Sequence, residues 1–254
     1  MIQPGKIAAL CLAIIVVIFT VLYFYKKGEV PAPRLAAVDA ISEGVDRAVE
    51  MGKPVHYTGG ERADLAGVNT PMTVAMFSGL AYTAGLCAEK GARLIVHAPQ
   101  TAEALPILQR IVYDQYALKG KLDKYDIRDI RFYGELYASG VLDSFARDGV
   151  ATNIIIGAPA GESLVIQDHA KRHGALNIGG TARWIMQYSF AVLADYMLIA
   201  EEIYAAAAAM SKDPKQIATL RSGDIIKTIS LALLIIGALL SLAGSNAIQA
   251  LLRW

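Results

Sequence analysis

The sequence predicts an α/β protein: a doubly wound, mostly parallel, Rossmann-like sheet of about six strands, flanked by N- and C-terminal transmembrane helices. Uncharged apolar segments lie near both ends of the 254-residue chain. Between them, short apolar runs alternate with helical patterns, as in parallel sheets covered by helices. The runs are apolar at nearly every position, which is typical of strands buried on both faces.

The first apolar segment, residues 7–25, carries no charge. At about 1.5 Å per residue it would span roughly 28 Å, close to the thickness of the hydrocarbon core of a bilayer. A cleaved signal peptide is the alternative, but the segment is long and ends in Tyr-Phe-Tyr-Lys-Lys, a poor cleavage site. We therefore assign residues 1–27 to a transmembrane anchor and the proline-containing residues 28–34 to a linker.

The second apolar segment, residues 228–244, leads us to assign 225–254 to a transmembrane helix. Small residues at Gly237, Ser241 and Gly244 permit close helix packing, but they are also common in membrane helices generally. Basic residues are concentrated on the domain side of the two segments, at Lys26, Lys27, Arg34, Arg221 and Lys227, against Lys6 and Arg253 on the other side. The positive-inside rule thus predicts a protein of the cell membrane with its central domain in the cytoplasm and both termini outside.

The central domain, residues 35–224, shows repeated strand–helix units. The predicted strands are 54–58, 93–98, 127–133, 153–156, 176–178 and 196–200. The predicted helices are 35–51, 70–90, 101–118, 135–148, 161–173, 181–191 and 201–210. Thr70-Pro71 is a helix start, Gly52 and Gly91 are helix stops, and Gly179-Gly180 is expected to form a tight turn.

The apolar stretch 184–210 could instead be a third membrane span. It contains Asp195, Glu201 and Glu202, and carboxylates in a bilayer are costly. We therefore favour a strand and a helix of the α/β domain, which pack on a neighbouring subunit or rest at the membrane surface.

Ligands of open parallel sheets bind beyond the carboxyl ends of the strands. Small and hydroxyl residues follow several predicted strands, and we take them as candidate ligand contacts: Thr58, Gly59, Gly60, Gly157, Gly161, Ser163, Gly179, Gly180 and Thr181. Residues 157–163 join a strand directly to a helix start, where free amides favour an anion. Glu162 is itself an anion at that place, and it alternatively satisfies the helix dipole without any ligand.

His56, His97, Glu162 and Glu201 also follow or end predicted strands, and they are the candidate catalytic residues. A pair of imidazoles can relay protons or bind a metal, although a lone histidine at a strand end is more often structural. His169 and His173 have a metal-binding spacing, but Lys171 and Arg172 lie between them and favour a solvated helix end. We assign no metal site.

Several classes of function are disfavoured by composition and motifs. The net charge of +1 gives no broad basic face for nucleic acid. The chain has two cysteines and no CxxC pair, so it does not depend on an oxidising compartment. It lacks a Walker A loop, a G-x-G-x-x-G pattern and a G-x-S-x-G elbow, so no cofactor is identified.

Two segments carry a resemblance. Gly-Lys-Pro-Val-His-Tyr-Thr-Gly-Gly at 52–60 and Gly-Ala-Pro-Ala-Gly-Glu-Ser at 157–163 resemble an uncharacterised prokaryotic family of membrane-anchored α/β proteins. The resemblance covers most of the chain, and it implies this architecture and no activity.

The leading functional hypothesis is a membrane-anchored, homo-oligomeric binding or scaffold protein. The alternative is a membrane-tethered enzyme that acts on a small anionic or nucleotide-like ligand. A transporter or channel would need a pore built from several chains, and neither apolar segment has an ionisable residue in its core. The expected partners are the lipid bilayer, other copies of the chain and a small anionic ligand.

Overall fold

The computed structural model describes residues 4–27 and 34–242, and within the first of these ranges it describes side chains only for 14–26. The chain divides into two compact units. One contains both terminal helices, and the other, Pro33–Ser211, contains the α/β domain. Nearly all of the predicted linker 28–34 lies outside the described residues, as do positions 243–254, including Gly244.

Six strands form one parallel sheet in the order β3-β2-β1-β4-β5-β6. They are β1 (Val55–Thr58), β2 (Leu94–His97), β3 (Ile130–Arg131), β4 (Thr152–Gly157), β5 (Leu176–Thr181) and β6 (Tyr196–Ile199). This arrangement confirms the predicted six-stranded Rossmann-like sheet. The strand order reverses between β1 and β4, the place where doubly wound folds bind their ligands.

The helices are α1 (Pro4–Lys27), α2 (Ala36–Met51), α3 (Thr70–Lys90), α4 (Leu105–Leu118), α5 (Tyr137–Asp148), α6 (Glu162–Arg172), α7 (Gln187–Leu193), α8 (Glu202–Ser211) and α9 (Pro214–Leu242). One face of the sheet packs in a core with α2, α3, α4 and α8. The other face packs with α5, α6 and α7. Alternate residues of β4 serve the two cores, with Ile154 and Ile156 on the first side and Ile155 on the second.

Local sequence signals set several helix ends. α2 and α3 stop at Gly52 and Gly91, whose φ angles of 61° and 80° are in the left-handed region that glycine adopts without strain. α3 begins at Thr70 with Pro71 in its first turn, and Asn69 occupies the N-cap position. Glycine and proline therefore mark these helix ends because of the backbone conformations that each of them allows.

The third strand is shorter than predicted. β3 contains only Ile130 and Arg131. Residues 127–129 instead form a 3₁₀ turn, because the side chain of Asp126 accepts a hydrogen bond from the backbone amide of Arg128. This local bond competes with strand pairing at the edge of the sheet.

The fifth strand is longer than predicted, and the expected tight turn at its glycines is wrong. β5 continues through Gly179, Gly180 and Thr181. A Cβ atom on Gly179 would overlap the carbonyl oxygen of Ile155 in β4, and one on Gly180 would overlap that of Leu198 in β6. Glycine therefore lets β5 approach both neighbouring strands closely.

The apolar stretch 184–210 belongs to the α/β domain and does not form a third span. It contains a 3₁₀ turn (Trp184–Met186), α7, β6 and α8. β6 pairs with β5 in the sheet. Ile203, Ala206 and Met210 of α8 are buried in the core, which explains why this helix is so apolar.

Apolar helices lie on both sides of the α/β domain in the sequence. α9 is long and apolar enough to cross a membrane, and none of its most apolar window is buried. The described side chains of α1 form a shorter apolar stretch, Ile14–Lys26. α1 and α9 contact each other, and Thr20 Oγ1 lies 2.6 Å from Ser222 Oγ. α3 also passes the test of length and hydropathy, but 61% of its window is buried in the α/β domain, as expected of a core helix.

Replacement of Gly179 by alanine should lower the free energy of unfolding by about 2 kcal/mol, because the new methyl group overlaps the backbone of β4. Denaturant titration of the full chain in mild detergent would measure this loss. Gly161→Ala is the matched control. A Cβ atom there meets nothing within 4 Å, so stability should change by less than about 0.5 kcal/mol. Equal effects of the two changes would contradict the packing argument.

Candidate functional site

The centre of the sheet is the first place to look for a functional site. β1 and β4 lie side by side there, and the segments that follow them meet where the strand order reverses. Six predicted ligand residues come to this edge: Thr58, Gly59, Gly60, Gly157, Gly161 and Ser163. The two glycine-containing segments chosen from the sequence are therefore neighbours in the fold.

The crevice between these segments is closed by the chain itself. The amide of Ala158 donates a hydrogen bond of 2.7 Å to the carbonyl of Gly59, so the two segments stay paired beyond the ends of their strands. A Cβ atom on Gly157 would meet the backbone of Gly59, and one on Gly60 would overlap Pro159. The glycines thus allow two parts of the protein to touch, and the space next to them is filled.

The anion position at the start of α6 is occupied by Glu162. Its carboxylate accepts a hydrogen bond from the amide of Ala160 at 2.9 Å and another from the amide of Glu61 at 3.1 Å. Burial raises the pKa of Glu162, while these amide bonds act in the opposite direction. The amides of Ala160 and Glu61 are therefore satisfied from within the chain.

Ser163 and Gly161 have different surroundings. The hydroxyl of Ser163 donates to the carbonyl of Ala160 at 2.9 Å and lies 3.1 Å from the hydroxyl of Ser189. It therefore ties the first turn of α6 to α7. Gly161 has open space around the position of a Cβ atom and a φ of −61°, so neither packing nor backbone strain requires glycine there.

Thr58 is fully hydrogen bonded. Its hydroxyl donates to the carbonyl of His97 at 2.9 Å, so the hydroxyl of Tyr137, 2.6 Å away, must be the donor in their contact. The amide of Gly60 also donates to Thr58 Oγ1, at 3.2 Å. Burial raises the pKa of Tyr137, which keeps this phenol protonated. Thr58 thus holds neighbouring strands and α5 together.

The remaining predicted ligand residues, Gly179, Gly180 and Thr181, lie inside β5. The hydroxyl of Thr181 donates to the carbonyl of Gly157 at 2.8 Å and accepts from the amide of Arg183 at 3.1 Å. These bonds fix the end of β5 against the end of β4, and they leave the glycines as packing positions between strands.

His56 and His97 lie next to each other on the sheet face that α5 covers. Their ring centroids are 4.8 Å apart, and both side chains are about 1% exposed. The ring of Phe145 contacts His56 edge-on, and the ring of Tyr133 stacks on His97. The two imidazoles are therefore neighbours, and both lie inside the domain.

The hydrogen bonds around His56 define its tautomer. Asn177 Nδ2 donates to the carbonyls of Gln167 and Leu193, so Asn177 Oδ1 is free to accept from Asn153 Nδ2 at 2.8 Å. Asn153 then turns its oxygen toward His56 Nδ1, 2.6 Å away, and this nitrogen must carry the proton. His56 Nε2 is consequently unprotonated, and its lone pair has no hydrogen-bond partner.

The same reasoning applies to His97. The hydroxyl of Ser144 donates to the carbonyl of Gly140 at 2.9 Å, so it can only accept from His97 Nε2, which lies 2.9 Å away. His97 Nε2 therefore carries the proton, and the buried Nδ1 is left without a partner. Each imidazole is held in one orientation and turns one lone pair into the protein interior.

The electrostatic environment keeps both imidazoles neutral. Burial lowers the pKa of His56 to about 4, and the positive charge of Arg131 adds to this effect, whereas the hydrogen bond that His56 donates to Asn153 acts in the opposite direction. Burial also lowers the pKa of His97 well below its usual value, together with repulsion from His56, Arg131 and Arg147. Nearby guanidinium groups disfavour a proton, and by the same charge they disfavour a metal cation.

The four candidate catalytic residues do not form one cluster. The described side-chain bonds of His56 and His97 go to Asn153 and Ser144, and neither histidine bonds to Glu162. Glu201 follows β6, three strands away from β1, a separation of about 14 Å at the usual strand spacing. This arrangement suits a structural polar network better than an acid–base pair at a substrate.

A metal centre likewise finds no support among the described side chains. They contain no group of three or more His, Cys, Asp or Glu that could hold a metal ion. His169 and His173 lie at the end of α6 with ring centroids 4.3 Å apart, and His173 Nδ1 is 2.8 Å from the carbonyl of His169. That bond completes the last turn of the helix.

The residues that position the histidines were missed by sequence reasoning. Asn153 and Asn177 each occupy the second position of a strand and are each followed by isoleucine, and this repeated placement is the signal that could have found them. Register brings His56, Asn153 and Asn177 into one row across β1, β4 and β5. The pairing of strands decides that row, and it is not visible in any single segment.

The fold and this site define a class: a doubly wound α/β protein whose central crevice is closed, with apolar helices at both ends of the chain. The family model for a domain of unknown function, DUF6754, matches residues 3–252. The chain belongs to that family, and the resemblance to an uncharacterised family is confirmed. No curated protein and no solved structure matches the chain.

Acidification should destabilise the α/β domain through its neutral histidines. An unfolded histidine titrates near 6.5 and folded His56 near 4, so the unfolded chain binds protons first as the pH falls. Stability is complete above about pH 6.5 and decreases toward pH 4, by about 2 kcal/mol at pH 5 from His56 alone. Denaturant titration between pH 7.5 and pH 5 would measure this slope.

The variant His56→Gln should reduce that slope by the share that comes from His56, because glutamine does not titrate in this range, while buried His97 keeps its own contribution. His173→Asn is the matched control, since His173 is exposed at the end of α6, and it should keep the slope of the unmodified chain. A slope that is unchanged in His56→Gln would contradict the neutral, buried state of His56.

Proposed function

We propose that this protein is a membrane-tethered binding or scaffold module that works through contacts with proteins, including other copies of itself. The observation that supports this proposal is the closed crevice at the strand-order reversal. The position that receives a ligand in doubly wound folds contains the paired segments after β1 and β4. A module without an open crevice must act through its surface.

The occupation of the anion position by Glu162 also supports the proposal. A bound phosphate would have to displace a carboxylate that already accepts bonds from two amides. It would also approach a group of the same charge sign. Both effects oppose a nucleotide or another small anion at the start of α6.

A membrane location is supported by the apolar helices at the two ends of the chain. The orientation with the α/β domain in the cytoplasm and both termini outside is supported by the basic residues beside the apolar segments, such as Lys26, Lys27 and Arg221. Together these features support the proposal of a cytoplasmic module that two helices hold at the bilayer.

The alternative, a membrane-tethered enzyme acting on a small anionic or nucleotide-like ligand, is favoured only by the closeness of His56 and His97. The burial and neutrality of the two histidines weaken the enzyme hypothesis, because a side chain that transfers a proton must reach its substrate.

The closed anion position makes a prediction for the variant Glu162→Ala. Inorganic phosphate should leave the melting temperature of the unmodified chain unchanged, and it should raise that of Glu162→Ala, because removal of the carboxylate frees the amides of Ala160 and Glu61. Thermal unfolding with and without phosphate in the millimolar range would measure both.

Asp168→Ala, on the exposed part of the same helix, is the control and should show no response to phosphate. NAD and ATP belong in the same series with the unmodified chain. A clear stabilisation of that chain by either nucleotide would contradict the proposal and favour the enzyme.

The proposed topology predicts the side from which the α/β domain can be labelled. Val68→Cys places a thiol at a position that is 90% exposed. A membrane-impermeant maleimide should label this variant in cells only after the membrane is permeabilised. Cys87 is buried, and the unmodified chain, which has both native cysteines, measures the labelling background. Labelling in intact cells would place the α/β domain outside the cell and contradict the proposed topology.

A further inference from the structure

One helical surface of the α/β domain is entirely apolar on its exposed side. It consists of Trp184, Ile185, Tyr188, Ala191 and Val192, which are the exposed residues of α7 and the 3₁₀ turn before it. We call this surface the α7 face. Trp184 is 82% exposed and Val192 69%. A solvated helix usually carries charged or polar residues on its outer side, so this face has the composition of a buried one.

The opposite side of α7 is firmly attached to the domain. Phe190 is 1% exposed and belongs to the core under the sheet. The hydroxyl of Ser189 donates to the carbonyl of Met186 and contacts the hydroxyl of Ser163 in α6. The exposure of the α7 face is therefore a fixed property of the fold.

The area of the α7 face matches what an association surface needs. With Ile199 on the edge strand β6, which is 54% exposed, its large side chains present on the order of 600 Å² of apolar surface. That value is at the upper end for a monomer, and it is most of the roughly 800 Å² that each partner contributes to a standard interface. Aromatic residues such as Trp184 and Tyr188 are the usual energetic centres of such surfaces.

We infer that the α7 face is the surface through which two copies of this chain associate, an inference that rests on the proposed function. Tyr188 and Val192 are four residues apart on one side of α7, and Trp184 adds its exposed ring from the 3₁₀ turn directly before the helix. A two-fold axis would pack the α7 face against its own copy, which is the isologous arrangement of most homodimers. Small Ala191 beside these side chains leaves room for the partner helix to come close.

The charges near the α7 face argue against a lipid surface as its occupant. Helices that lie on membranes pair an apolar face with flanking lysines and arginines. Residues 184–194 contain neither, and Arg183 donates a hydrogen bond inward to the carbonyl of Pro159. The ionisable residue that follows is Asp195, which an anionic bilayer would repel.

A weak contact is sufficient between tethered copies. Domains held at the same membrane move in two dimensions, and this raises their effective concentration. The dimer is therefore expected to be more complete in membranes than in dilute detergent solution.

The test compares Val192→Glu with Val68→Glu in the full chain. Both changes place a carboxylate on an exposed valine, but Val68 lies outside the α7 face. In mild detergent, the unmodified chain and Val68→Glu should have twice the mass of one chain. Val192→Glu should weaken association at least ten-fold and shift the mass to one chain, with an unchanged melting temperature as proof of folding.

A second measurement keeps the inference testable if detergent disturbs association. In membranes, a bis-maleimide should link Val192→Cys into covalent dimers and should not link Val68→Cys. Brominated lipids should leave the fluorescence of Trp184 unquenched in a Trp254→Phe background. Strong quenching would place the face on lipid and overturn the inference.

The two proposals fail in different ways. A dimer that persists in Val192→Glu, with equal cross-linking at positions 192 and 68, overturns the α7 face as the interface and leaves self-association standing. A chain that is monomeric in both detergent and membranes overturns the α7 dimer. If that chain also binds a nucleotide, the proposed scaffold function fails as well.

Discussion

The structure depends on the covering of both faces of one parallel sheet. Once helices close both sides, the polar groups inside can find hydrogen-bond partners only within the chain. On one face, His97 forms a hydrogen bond with Ser144. In the row beside them, His56 is hydrogen bonded to Asn153, which is hydrogen bonded to Asn177. The row ends at backbone carbonyls, so the direction of each bond is determined. Neutral imidazoles are a consequence of this closure, because a proton there would be both desolvated and close to arginine.

Most of the fold follows from short-range signals, and the site does not. Apolar runs predicted the strands, and glycine or proline predicted helix ends such as those at Thr70 and Gly91. Such residues act on the backbone of their own segment, so their effect is visible in the sequence. The arrangement around His56 depends on register between segments about a hundred residues apart. The same limit explains Gly179, which looks like a turn residue in sequence and is a close-packing residue between strands once β4 and β6 are in place.

The strand order is that of dinucleotide-binding domains, yet the chemistry at the strand-order reversal is different. Those domains present free amides and glycines to a pyrophosphate. Here the glycines face another segment of the chain, and the carboxylate of Glu162 takes the amides. A fold provides a location for a ligand but not the groups that bind it, so function has to be argued from the residues present. At this location they stabilise the fold.

Apolar residues make up more than half of this chain, and they are concentrated in several places. Some of them lie in the terminal helices, of which α9 is long and apolar enough to cross a bilayer. Others are in α8, which is covered by the core. A further part is on α7, whose outer side is not covered within the α/β domain. Burial of apolar surface stabilises by roughly 25 cal/mol for each Å² removed from water, so an uncovered face of this size is a standing source of binding free energy. In the proposed dimer, Trp184 and Val192 are the side chains whose apolar surface would be removed from water.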